Sequence, residues 1–99
     1  MDIEFLFRGQ RFVWDAEKAF NNSIKHGVRF ETACQVFFDR FVHVQDASVG
    51  EEQRDAAVGV TEDLMLLLVV HLYRDYETIR VISARPATRK ERMTYENSE

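Results

Sequence analysis

Apolar residues near the start of the chain recur at every second position: Ile3, Phe5 and Phe7, then Phe12 and Trp14 beyond a turn at Gly9-Gln10. Alternation on both sides of a glycine turn predicts a β-hairpin with one aromatic face buried. The rhythm then changes. Ala16, Ala19, Phe20 and Ile24 fall at helical spacing, so a helix is expected over residues 16–26 with those four side chains inward. Asp15 supplies its N-cap and Gly27 its left-handed cap, with Lys25 and His26 at the negative end of the dipole. A second helix is predicted from the spacing of Phe30, Ala33, Cys34, Phe37 and Phe41.

Four segments dominated by β-formers follow: RFVHVQD, RDAAVGVT, LMLLLVVHLYR and TIRVISAR. Thr88 to Glu91, TRKE, has the form of a capping box and opens a short C-terminal helix expected over residues 88–98. The order β-β-α-α-β-β-β-β-α predicts an α+β fold, an antiparallel sheet with helices on one face.

Composition bounds what such a chain can be. Ninety-nine residues, 45% of them hydrophobic, suggest one domain over residues 1–99 with a modest core. The single Cys34 cannot form an internal disulfide, so packing must hold the fold, as suits a reducing cytoplasm. The opening MDIEFLFRGQ lacks the pattern of a secretory signal. The longest apolar run, Leu64 to Val70, is too short to cross a bilayer, so no membrane partner is expected. No two of His26, Cys34, His43 and His71 have metal-ligand spacing, and no cofactor is expected.

The net charge of −4 argues against a generic polyanion binder, but its distribution is uneven. Residues 1–70 hold 7 Lys/Arg against 12 Asp/Glu, a balance of −5. Residues 71–92 hold 6 basic against 3 acidic residues, a balance of +3. A basic patch on an acidic body suits either RNA contact or an acidic protein partner. It equally suits a solvated helix end.

The run Phe12-x-Trp14-Asp15-x-x-Lys18-x-x-x-Asn22-x-x-Lys25-His26-Gly27-Val28-x-Phe30-x-x-Ala33 resembles the N-terminal signature of the BrnT family of toxins. The closing IRVISARPATRKERMTYE is similar to that family's C-terminal signature, and Glu52, Arg54, Gly59 and His71 fall at the family's spacing between them. The resemblance implies a RelE/ParE-like fold: an antiparallel sheet with two N-terminal helices on one face and a short C-terminal helix. It implies a ribonuclease toxin acting on single-stranded RNA or mRNA and inhibiting translation in the cytoplasm. It also implies a cognate BrnA-like antitoxin with a ribbon-helix-helix part, operator DNA being reached only through that antitoxin. Two alternatives belong to other classes: a protein-binding toxin of the gyrase-poisoning type, and a non-catalytic antitoxin-binding partner. This sequence departs from the family in Arg29 and Thr32, where Ser and Glu are frequent, and in Arg40, where a proline is common. Residues 1–11 form an extra leading strand and turn.

Strand pairing then suggests a site. An even-length turn around Asp75-Tyr76 sets His71 opposite Arg80, and Tyr73 opposite Thr78. An even turn at Glu62-Asp63 sets Arg54 opposite His71, and Glu52 opposite Tyr73. One face then carries Arg54, His71 and Arg80 in a row. RNA cleavage without a metal needs a base for the 2′-hydroxyl, an acid for the leaving oxygen, and cations for the phosphorane. Glu52 or His71 could be the base, with His71 or, more weakly, Tyr73 the acid. Arg54 and Arg80 would hold the phosphate. By alternation Arg85 falls on the other face, where it could reach around or merely form a salt bridge; Arg89, Lys90 and Arg92 would steer the substrate backbone. Glu52 with Arg54 is also readable as a plain ion pair. The same basic stretch, residues 80–92, would receive an acidic antitoxin segment.

The capping box gives a stability test. Thr88→Ala is expected to cost about 1 kcal/mol, read in a thermal melt; an unchanged melt would mean that the helix starts elsewhere or is frayed.

Overall fold

The aromatic alternation does form a hairpin. In the computed structural model, which describes residues 1–97, β1 (Asp2–Phe7) pairs antiparallel with β2 (Gln10–Asp15). The turn is Arg8-Gly9, one residue earlier than expected, with φ of 51° and 81°. Two left-handed residues make the type I′ turn whose twist matches that of the strands; Gly9 adopts it freely and Arg8 less so.

Helix α1 (Ala16–His26) has both predicted caps: Asp15 accepts the Lys18 N–H at 3.0 Å, and Gly27 (φ 69°) donates to Ser23 O at 2.9 Å. Its inward face differs from the expected one. Phe20 and Ile24 are 65% and 73% exposed, while Ala19 and Asn22 face the sheet. The buried Asn22 amide sets this rotation. It donates to Val28 O (3.1 Å) and Ala84 O (2.9 Å) and accepts the Ala84 N–H (3.1 Å). A buried amide with those partners outweighs the burial of two apolar side chains, because leaving it unpaired would be costly.

The expected second helix is a single turn, α2 (Phe30–Ala33), continued as a 3₁₀ turn over Cys34–Phe38 and stopped by extended Asp39. Arg29 makes no side-chain cap, and the VFF run is a weak helix former, so the segment tightens rather than propagates. Phe41 lies beyond it, exposed.

Four more strands follow: β3 (His43–Asp46), β4 (Asp55–Val60), β5 (Leu66–Tyr73) and β6 (Thr78–Pro86), then α3 (Arg89–Asn97). The predicted end of that last helix, residue 98, lies outside the described residues. The sheet order is β1-β2-β6-β5-β4-β3. This corrects the expected fold. The sheet is mixed, since β2 and β6 run parallel, whereas an all-antiparallel RelE/ParE-like sheet was expected. The helices follow an opening hairpin instead of leading the chain, and strands outweigh them.

Both faces of the sheet are covered in part. Phe12, Trp14, Leu67, Val69, Ile79 and Val81 pack beneath α1, α2 and the 3₁₀ turn, which contribute Phe30, Cys34 and Val36. On the other face Ala56, Val58, Leu66 and Leu68 lie under Ala87 and Tyr95, at the base and on the side of α3. That double cover explains the unbroken apolar run of β5. The capping box forms as predicted: Thr88 N–H donates to Glu91 at 2.8 Å, and Glu91 N–H donates to Thr88 Oγ1 at 3.2 Å. Tyr95 donates its hydroxyl to Asp39, which also accepts the Val60 N–H at 2.9 Å, tying α3 to β4.

Gly59 sits where β4 passes the 3₁₀ turn. A β-carbon there would lie 3.0 Å from Val36 O and 3.1 Å from Val36 Cβ. Gly59→Ala is therefore expected to destabilise the fold by about 1–3 kcal/mol, as overpacking does, measurable by urea denaturation.

Candidate nucleic-acid interface

Which side chains share a face depends on two loops. Thr61 N–H donates to Met65 O at 2.9 Å, closing the three-residue loop Glu62-Asp63-Leu64, with Leu64 left-handed at φ 64°. Arg74 N–H donates to Thr78 O at 2.9 Å around Asp75-Tyr76-Glu77, where the Asp75 carboxylate accepts the Glu77 N–H at 2.8 Å. Both loops have an odd length, where even ones were expected. Each register therefore moves by one residue, and a one-residue slip exchanges the faces.

The predicted row does not form. His71 pairs with Asp55 on one side and Val81 on the other, on the core face. It is 1% exposed, packs edge-on against Phe37 at 4.7 Å, and its Nδ1 lies 3.1 Å from Val69 O. Burial pushes its pKa below 6.5, against the opposing influences of the Val69 carbonyl and Asp55. A neutral, enclosed imidazole does not reach a substrate on the sheet surface. Tyr73 shares the core-side parity at the exposed end of β5, 5.9 Å from the His71 ring.

The arginines behave differently. Leu72 takes the place expected for His71, opposite Arg80. Continuing the β4–β5 register by one residue sets Arg54 on the far side of Leu72. Arg85 also joins this face, opposite Leu68, which corrects the simple alternation from Arg80. The cause is a register shift between Val70 and His71, where β6 carries one extra residue, Ile82. An odd separation between Arg80 and Arg85 thus becomes a shared side.

Each of the three holds a carboxylate. Arg54 pairs with Glu52 at 2.6 Å, so the ion-pair reading of these two is the observed one. Arg80 pairs with Asp2 at 2.6 Å, and Arg74 reaches the same Asp2 oxygen at 3.5 Å. Arg85 grips Glu91 through two bonds of 2.8 and 2.9 Å. The Arg85 guanidinium and the Thr88 N–H together hold the Glu91 carboxyl down to about 2. The Arg80 hydrogen bond likewise holds Asp2 below the usual carboxylate range. Arg89, Lys90 and Arg92 lie on α3; Arg92 approaches Glu96 at 3.9 Å.

Two depressions flank these groups. A groove of about 450 Å³ is lined by Glu4, Leu6, Arg11, Val13, Arg74 and Thr78. A smaller one of about 260 Å³ lies between β3 and α3, among His43, Gln45, Lys90, Glu91 and Thr94. His43 is thus the histidine on the arginine side, paired opposite Val58. Neither His43 nor Asp2 is among the site residues expected from the sequence. Nothing in local pattern marks Asp2, since its partner lies 78 positions away.

A family model described as "Ribonuclease toxin, BrnT, of type II toxin-antitoxin system" matches residues 14–91. The chain belongs to the BrnT family. Its structure is also similar to the crystal structure of the Brucella abortus ribonuclease toxin BrnT, with a TM-score of 0.53 and 25% identity. That likeness covers 77% of this chain and 94% of the other. No curated protein matches. The family match begins at Trp14, so β1 and the start of β2 lie outside the matched segment. No helix among the described residues is long and apolar enough to cross a membrane.

Burial of His71 has a consequence for pH. Its folded pKa is depressed below its unfolded value of 6.5, so the unfolded chain binds the proton more readily. Its contribution to stability is full above pH 6.5 and declines as the pH falls below it. Thermal melts of the wild type should show a midpoint falling on acidification from pH 6.5, with a shallower fall in His71→Phe. Equal slopes for the two proteins would contradict the buried, neutral assignment.

Proposed function

We propose that this BrnT-family chain cleaves single-stranded RNA in the cytoplasm, using arginines and no metal, and so inhibits translation. The observation that carries the reading is the shared face of Arg54, Arg80 and Arg85 within a ribonuclease-toxin family match. Guanidiniums spread along one side of a sheet can hold successive phosphates of an RNA backbone, and one at the scissile phosphate offsets the charge that grows on it during attack. Glu52, already beside Arg54, is the candidate base for the 2′-hydroxyl, the leaving 5′-oxygen takes its proton from solvent on this exposed face, and Arg89, Lys90 and Arg92 guide the flanking backbone. His71 acts from beneath the sheet, as a packing residue that supports the strand carrying Leu72.

A protein antitoxin completes the system. Its acidic segment covers residues 80–92, competing with RNA for the same arginines, and a ribbon-helix-helix part of the antitoxin makes the contact with operator DNA.

Incubating the purified chain with RNA, with and without EDTA, tests the reaction. Cleavage should persist in EDTA, and Arg80→Ala or Arg85→Ala should lower its rate by about 10²–10³-fold. RNA left intact under enzyme excess, with growth arrest in cells nonetheless, would overturn the ribonuclease reading.

A further inference from the structure

The strand that precedes the BrnT core carries acids on the arginine side. Along β1, Asp2, Glu4 and Leu6 are exposed while Ile3, Phe5 and Phe7 turn toward the core. Glu4 stands opposite Val13, which stands beside Arg80. Asp2 reaches Arg80 at 2.6 Å and Arg74 at 3.5 Å through one oxygen, Oδ2. A single oxygen shared by two guanidiniums is the arrangement that a phosphate oxygen takes between two arginines. The neighbouring groove adds the guanidinium of Arg11 and runs along the same side of the sheet, past Thr78.

We propose that Arg74 and Arg80 form a phosphate subsite for the RNA backbone, and that the Asp2 carboxylate of β1 is its resident competitor. The inference deepens the ribonuclease reading and rests on it for the identity of the ligand. β1 thereby acts as a tethered mimic of one substrate phosphate. Because it is joined to β2 by a two-residue turn, the carboxylate is held at high effective concentration and needs no separate binding event. The contact is an exposed ion pair, so displacement by a polyanion is easy and the restraint is modest. Arg74 and Arg80 are thus masked in the free protein and become available as RNA or an acidic protein segment replaces Asp2.

The test measures binding separately from cleavage. The full chain, Asp2→Asn, Arg80→Ala and the double variant are titrated with a fluorescent single-stranded 2′-deoxy oligonucleotide, which lacks the attacking hydroxyl. Asp2→Asn should bind about two- to fivefold more tightly than wild type, and the gain should vanish when Arg80→Ala is added. An unchanged or weaker affinity in folded Asp2→Asn overturns the proposal. A gain that survives in the double variant also overturns it, because the cause is then net charge and not a shared subsite. Should Asp2→Asn fail to fold, the wild-type Asp2 carboxyl signal is followed by NMR during the titration. Its shift on oligonucleotide addition supports displacement, and a stationary signal refutes it. Tighter binding without RNA cleavage by any variant would leave the subsite standing and remove the ribonuclease reading.

Discussion

The position of β6 in the middle of the sheet is the constraint on which the rest depends. It pairs parallel with β2 and antiparallel with β5, so it joins the opening hairpin to the strands built from the second half of the chain. The Asn22 amide fixes it from one side by bonding both the N–H and the carbonyl of Ala84. Those bonds orient α1, expose Phe20 and Ile24, and anchor β6 close to Arg85. A buried side-chain amide with its partners in place is a high-stakes contact: removing it strands several polar groups at once.

Around that strand the two faces divide their tasks. The face beneath α1 and α2 is the larger apolar core, and it absorbs His71. The opposite face has a smaller core under α3 and keeps its remaining width for arginines. Gly59 permits the close passage of the 3₁₀ turn, and Asp39 connects that turn to both β4 and Tyr95 of α3. The Asp39 carboxyl is held below its usual range: burial works against ionisation, but the Tyr95 hydroxyl and the Phe41 and Val60 N–H groups outweigh it.

An acidic chain can keep arginines within a strand because each has its own carboxylate. Glu52, Asp2 and Glu91 come from a loop, the leading strand and the last helix; Glu52 and Glu91 each hold one guanidinium, and Asp2 is shared by Arg80 and Arg74. The field of the face is therefore weaker than a count of its arginines suggests. Ligand binding becomes an exchange of one anion for another, which costs little where the pairs are exposed. Arg85 differs from the other two. Its bidentate pair with Glu91 also holds the capping box of α3, so it serves the fold as well as the surface.

Local chemistry was legible in the sequence. The hairpin, the Asp15 and Gly27 caps, the Thr88–Glu91 capping box and the four later strands follow from periodicity and from side chains acting within a few residues. The family was legible too, from two long signatures in order. The parallel β2–β6 pairing was not, because strand direction and order are settled by packing between distant segments. Nor was the rotation of α1, where one buried amide outweighs two apolar side chains. The site failed on a finer point. Odd loops at residues 62–64 and 75–77 and one extra residue at Ile82 decided the face of His71, Arg80 and Arg85. A strand alternates with a period of two, so each single-residue change inverts everything beyond it, and only the folded loops settle that parity.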